Sequence, residues 1–325
     1  MKKIVVIICV MALALSLCGC NFLKPVKAAS AEYIVTSMAF CEQRGEIQTF
    51  IEAVVVNTEN TETSKLRKVF EGKGKTVEEA VDSAAYSITQ GLLFGHMAAI
   101  VFEESLSAEN FYKVLQYCYS IEEITLSALC FSSDDVKSLI ESEPISSVAV
   151  GYDILSVLEQ RRDEYGTNFK NKLYQVLSLS KETLQTVALP CFSVEDSLNF
   201  RGLSIYSSGK AVTLLENEQM NCYFIACDLQ DKGKIFIDGT LYEIESCTTK
   251  RFFEEGGLRI NINIKGDSLP RESIQKYIEE TFNDSKKAGY DVFGLMNTFY
   301  KQESNAEYET LLKKYKSTSF KVVLK

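Results

Sequence analysis

Residues 76–102 read TVEEAVDSAAYSITQGLLFGHMAAIVF, and the stretch decides the fold class. Thr76 followed three residues later by Glu79 is a capping box, in which the hydroxyl and the carboxylate each satisfy an orphan N–H of the first helical turn. Val77, Ala80, Val81, Ala84, Ala85 and Ile88 then recur at helical spacing and lay one apolar stripe along a helix. Gly91 is placed to end it. Met97 to Phe102 is almost wholly apolar, as in a strand buried on both faces. A helix packed beside such a strand is the unit of an α/β layer.

Working outward, the unit repeats. Tyr33–Phe40 and Phe50–Val56 are apolar, β-branched runs around Arg44-Gly45-Glu46 and predict two paired strands. Asn57–Lys68 is polar and reads as a loop. Ser107 caps a helix with Phe111, Val114, Leu115 and Cys118 on one face. Ile124 to Cys130 alternates as a strand. Helices are predicted near 133–142, 146–163 and 169–179, and Val187–Val194 closes the layer.

The second half is strand-rich. Leu203–Tyr206 and Lys210–Leu215 flank Ser207-Ser208-Gly209, a hairpin signal. Cys222–Cys227, Lys234–Ile237 and Leu241–Ile244 read as further strands. Leu258, Ile260, Ile262 and Ile264 alternate with Arg259, Asn261, Asn263 and Lys265, giving a sheet with one dry face and one wet face. Helices near 270–288 and 305–316 and a strand Phe320–Leu324 complete the pattern. The expected architecture is mixed α/β and α+β in three small mixed domains, 32–195, 196–250 and 251–325.

The N-terminus sets the compartment. Lys2 and Lys3 precede an apolar run from Ile4 to Leu17 broken only by Ser16. A spanning helix needs roughly 20 apolar residues, so the run has the length of a signal-peptide core instead. It ends in Leu17-Cys18-Gly19-Cys20, which resembles the lipobox of bacterial lipoproteins. The resemblance implies that residues 1–19 are removed and that the thiol of Cys20 carries lipid. Residues 20–31 then form a tether, and the rest lies outside the cytoplasmic membrane. The other readings of this segment are a buried helix and a plain secretory signal. Loss of Lys2 and Lys3 takes the net charge from −9 to −11, so acyl chains rather than a basic patch must supply the anchor.

Composition excludes several chemistries. The 325 residues carry a net charge of −9, which argues against a nucleic-acid partner. A single histidine, His96, excludes any site built on two imidazoles, and no nucleophile or acid is spaced to work with it. Gly72-Lys73-Gly74-Lys75-Thr76 lacks the first glycine of a phosphate loop, because Val69 stands at that position. It reads as a turn ending at the Thr76 cap. Cys222 and Cys227 fit no zinc spacing. Seven cysteines follow Cys20, and most lie in apolar patterns, as buried free thiols do. The acidic pairs Glu103-Glu104, Glu122-Glu123, Asp134-Asp135 and Glu254-Glu255 read as surface or helix-start residues. No catalytic, metal or cofactor site is predicted.

Together these segments resemble the Ger(x)C lipoproteins, the C subunits of spore germinant receptors. The resemblance rests on Leu17–Cys20, on Gly74-Lys75-Thr76-Val77-Glu78-Glu79-Ala80, and on Gly95-His96 before Met97–Val101. It continues through Leu189-Pro190, the hairpin Gly202-Leu203-Ser204-Ile205-Tyr206 with Lys210, and Asp291-Val292-Phe293-Gly294. Family members usually carry Trp after the lipidated cysteine and in the last helix; here Asn21 follows Cys20, and Tyr308 and Tyr315 occupy the late aromatic positions. The resemblance implies a non-catalytic protein lipid-anchored at the spore inner membrane. Its implied partners are the membrane-spanning A and B subunits, in a complex that senses small nutrients. The alternative is a substrate-binding lipoprotein of an importer, which would need two Rossmann-like lobes joined by crossing hinge strands.

Overall fold

A computed structural model describes residues 33–55, 67–86, 88, 91–145, 147–181, 186–254, 257–295 and 308–325. The predicted signal segment, Cys20 and the tether lie outside the described residues.

The first layer is one large mixed sheet. Strands β1 (Tyr33–Gln43), β2 (Glu46–Val55) and β3 (Arg67–Gly74) form an antiparallel meander, and β4 (Leu92–Leu93) adds to β1 in parallel. Strands β5 (Ala99–Glu103), β6 (Leu129–Ser133) and β7 (Thr186–Val194) continue from β1 in parallel. A second meander, β8 (Leu198–Ser207) and β9 (Lys210–Leu215), closes the other edge. The order is β3-β2-β1-β5-β6-β7-β8-β9.

Alternation along the central strands sends side chains to two different cores. Met38, Phe40, Ile100, Phe102 and Cys130 join helices α1 (Val77–Tyr86), α2 (Ala108–Ser120) and α5 (Leu173–Lys181). Ala39, Cys41, Ala99, Val101 and Phe131 join α3 (Val136–Glu141) and α4 (Val150–Tyr165). The sheet is therefore the middle layer of an α/β/α sandwich, which is why its parallel strands are apolar on both faces.

A further core lies beyond it. Antiparallel β12 (Ser246–Glu254) and β13 (Gly257–Lys265) are joined by β14 (Ser319–Leu324), parallel to β13. Helices α6 (Asn217–Ala226), α7 (Arg271–Ala288) and α8 (Tyr308–Ser317) pack there with the hairpin β10 (Gly233–Ile237) and β11 (Thr240–Ile244). The predicted alternation of β13 holds: Leu258, Ile260, Ile262 and Ile264 are all buried. Leu203, Ile205 and Leu215 of the first sheet also enter this core.

The expected boundary at 195/196 lies between β7 and β8, which are paired neighbours in one sheet, and the one at 250/251 lies inside β12. Three local expectations are corrected. Cys222–Cys227 is not a strand: residues through Ala226 belong to α6, with Asn221 to Ala226 all buried. A short apolar run buried on every side has no periodicity to separate helix from strand. Of Ile124–Cys130, only Leu129 and Cys130 are in a strand. Before them the backbone turns twice, with Thr125 Oγ1 and Ser127 Oγ bonded to each other at 2.7 Å, an alternative to ladder pairing. The glycine-rich segment before Thr76 is the end of an edge strand, β3, rather than a turn.

The glycines of β3 have a packing cause. A Cβ at Gly72 would collide with the Ala80 carbonyl oxygen and the Ala84 nitrogen of α1, and one at Gly74 would lie 2.6 Å from the Ala80 nitrogen. The helix thus rests directly on the strand backbone. The Thr76 half of its capping box forms as predicted, with Glu79 N–H donating to Thr76 Oγ1 at 3.1 Å; the Glu79 carboxylate accepts instead from Lys75 N–H, one residue before the cap, at 2.8 Å.

One buried charge organises the opposite face. The Glu52 carboxylate on β2 is wholly buried and pairs with Arg67 Nε at 2.6 Å. Its oxygens also accept from Thr36 Oγ1 and Ser37 Oγ, each at 2.8 Å, and from the backbone N–H groups of Val150 and Gly151 at 2.7 and 2.9 Å. The last two are orphan donors of the first turn of α4, whose own N-cap residue, Ala149, supplies no side-chain bond. Arg67 in turn donates to the Ile140 carbonyl of α3.

Candidate functional site

Among the described residues, those singled out from the sequence serve in caps, hydrogen bonds and an ion pair. His96 is exposed, and its carbonyl oxygen accepts from Tyr152 Oη at 3.4 Å. Asp135 caps α3 through Ser138 N–H at 2.9 Å. Asp134 pairs with Arg201 at 2.9 Å. Glu104 accepts from Ser204 Oγ, and Glu123 from Phe94 N–H at 3.3 Å. Glu254 ends β12, and Glu255 lies outside the described residues. Among the described residues no cluster of three His, Cys, Asp or Glu side chains could hold a metal ion. No described helix is long and apolar enough to cross a membrane.

The seven described cysteines are all free thiols, six of them buried and Cys227 partly so. Burial first, with nearby carboxylates adding for Cys41 and Cys247, pushes Cys41, Cys118 and Cys247 from the ordinary 9.0 up to about 12 and Cys191 up to about 11. Such thiols stay protonated and inert at neutral pH. In the native chain at pH 8 the six buried thiols should resist iodoacetamide, whereas all seven should react in denaturant. Peptide mass spectrometry reads the difference, and native labelling of the buried six at the denatured rate would refute it. The sign of the pH dependence follows. These groups keep their protons longer when folded, so their contribution is intact below about pH 9 and is lost as pH rises toward 11–12. The urea midpoint should therefore fall between pH 8 and pH 10.

The built site is a cleft of about 480 Å³ where the two halves meet. Two glycines bring them together. Gly166, at φ +63°, caps the C-terminus of α4, and its bare Cα lies against the Lys232 carbonyl. Gly233, at φ +111°, lies against the Tyr165 carbonyl, where an added Cβ would stand 2.6 Å away. Gln230 Nε2 stitches the contact by donating to the carbonyls of Tyr165 and Lys234 at 2.7 and 3.0 Å. The chain leaving this junction delivers Phe169 and Lys170 to the cleft, β7 and β8 deliver Thr186, Ala188 and Leu203, and Phe293 and Gly294 close it. Thr186 Oγ1 donates to the Asp291 carbonyl at 2.7 Å, which fixes that last segment against β7.

The floor is the C-terminus of α6. Its end carbonyls are all occupied: Tyr223 by Cys227 N–H at 2.9 Å, Phe224 by Leu229 N–H at 2.8 Å, and Ile225 by Asp228 N–H at 3.1 Å and Thr249 Oγ1 at 2.6 Å. The Ala226 carbonyl accepts from Arg251 Nη2 at 3.2 Å. Asp228 Oδ1 accepts from Thr249 N–H at 2.9 Å. Burial drives the Tyr223 phenol well above its ordinary value and pushes up the Cys227 thiol, so both are neutral. The aromatic walls are in contact, Phe169 edge-on to Phe224 at 5.2 Å and Tyr223 stacked on Phe293 at 6.2 Å. Of these residues Leu203 and Phe293-Gly294 belong to the segments that carry the family resemblance, and Phe169, Ala188 and Tyr223 to Cys227 lie in runs read from the sequence only as helix or strand. Tyr223, Asp228 and Arg251 carried no signal, because a lone cation or acid in a strand-rich region reads as surface.

The sequence profile of the spore germination protein N-terminal domain matches residues 31–194, which ends with β7. No curated protein sequence matches the chain. Among solved structures, the crystal structure of the GerBC protein is similar over 88% of this chain and 95% of its own, at 12% identity and a TM-score of 0.49.

Proposed function

We propose, on the premise that the chain belongs to the Ger(x)C family of spore germination proteins, that it is the lipid-anchored, non-catalytic C subunit of a nutrient germinant receptor. The observation that carries this reading is the lipobox Leu17–Cys20 followed directly by the family domain from residue 31. In this reading acyl chains on Cys20 hold the protein at the outer face of the cytoplasmic membrane, the spore inner membrane. There it supports assembly or signalling through contacts with the membrane-spanning A and B subunits. The absence of catalysis is supported by how the described acidic pairs are used, in caps and ion pairs rather than in an acid–base pair. The importer alternative gains no such support: its two similar lobes would need two comparable sheets, and the described sheets have nine, two and three strands.

Each buried CH₂ of an acyl chain contributes about 0.8 kcal/mol, and two chains anchor stably. Cys20→Ala should therefore move the protein from the membrane fraction of spores to the soluble fraction and impair germination. A variant that stays membrane-bound with normal germination would sink the anchoring role. An affinity pull-down of the wild-type chain from spore membranes should bring two multi-span proteins with it. Recovery without them would count against the receptor role.

A further inference from the structure

We propose that the cleft between the two halves binds a small organic carboxylate with a flat apolar body. In this assignment the carboxylate sits on Arg251 and the body lies among Phe169, Phe224, Tyr223 and Phe293. The proposal goes beyond the receptor role and does not depend on it.

Size is the first support. At about 480 Å³ the cleft falls within the range of small-molecule sites, which combine apolar walls with a few placed polar groups. Four aromatic side chains in two contacting pairs line it, a surface suited to a planar or branched hydrocarbon body.

Charge is the second. Arg251 has the position of a helix C-cap, and one of its five N–H donors does that work at the Ala226 carbonyl. The helix end needs no more from it, because the other terminal carbonyls are already satisfied. Among the described residues no carboxylate forms an ion pair with Arg251 or with Lys170. The lining therefore carries two cations against one anion, Asp228, which is exposed and committed through one oxygen to Thr249 N–H. A half-buried guanidinium that donates to the Ala226 carbonyl and the Cys227 thiol, keeps further donors spare and pairs with no carboxylate among the described residues suits a bidentate carboxylate. The neutral Tyr223 hydroxyl and Cys227 thiol beside it add no charge of their own; the buried Asp291 carboxylate acts on both of them but does not line the cleft.

The test uses the full chain in a non-ionic detergent and 3-phenylpropionate as the probe, with uncharged 3-phenylpropionamide as its partner, followed by isothermal titration. The carboxylate should bind saturably at one site, and the amide at least about tenfold more weakly, the loss of a charge-assisted pair. Arg251→Gln keeps a donor for the Ala226 carbonyl but removes the charge. It should weaken the carboxylate at least about tenfold and leave the amide unchanged, while Arg251→Lys should recover part of the loss. No saturable binding up to about 10 mM, a range well above ordinary site affinities, would overturn the proposal. So would equal affinity for carboxylate and amide, or an unaltered Arg251→Gln. If Arg251→Gln does not fold, the comparison of the two probes on the wild-type chain still decides.

Discussion

Replacing Glu52 by alanine should lower the unfolding free energy by about 3–5 kcal/mol, the range for breaking a buried ion pair from one side. The loss is spread over three elements. Arg67 is left with its guanidinium 12% exposed and without its carboxylate. The N–H groups of Val150 and Gly151 lose the acceptor that caps α4. Thr36 and Ser37 lose the partner that fixes the irregular stretch of β1, where the register with β2 shifts between Val35 and Ser37. Glu52→Gln should cost less, because the two hydroxyls can turn to accept from an amide. It still points an amide N–H at one of the backbone or Arg67 donors, so it should not be neutral. Urea unfolding of the chain from residue 21 onward measures both; Glu52→Ala within 1 kcal/mol of wild type, about the ordinary surface effect, would contradict the capping role.

Gly72→Val should be comparably damaging, at or above the upper end of the about 1–3 kcal/mol typical of overpacking. The obstacle is helix backbone, the Ala80 carbonyl and Ala84 nitrogen, so no side-chain rotation can relieve it. Relief requires α1 to lift from β3, which would expose Val77, Ala80, Val81 and Ala84. Gly91→Ala is the control. No atom lies within 4 Å of its added Cβ, and its effect should stay within about 0.5 kcal/mol. Denaturation midpoints of the two variants, measured side by side, check the contrast; a Gly72→Val variant as stable as Gly91→Ala would show that α1 is not held by this contact.

The elements most legible in the sequence are those with a period. The capping box and stripe of α1, the alternation of β13 and the doubly apolar central strands each state their own burial, and each has its place in the structure. The edge strand β3 was illegible because its two glycines answer to a helix that follows it in the chain, not to strand propensity. Helix α6 was illegible because complete burial erases the contrast between faces. Glu52 did leave a trace, as the one acid inside the apolar run Phe50–Val55, but its partners come from residues 15 to 99 positions away. The cleft is a product of tertiary approach. Gly166 and Gly233 look like ordinary loop glycines until the halves are brought together, and Arg251 looks like a surface cation until α6 ends beneath it.

The parallel pairing of β14 with β13 also sets an order of events during synthesis. The nine-stranded sheet has all its strands by Leu215, whereas the second sheet gains its third strand only with residues 319–324. Val322 of that strand is buried in the second core, and long-range parallel pairing of this kind is slow to form. A nascent chain emerging N-terminus first can therefore complete its first layer while Leu258, Ile260 and Ile262 still lack the strand that covers their edge. A chain that stops before residue 319 would have a finished sandwich and an open apolar flank, the form that proteases and chaperones recognise first.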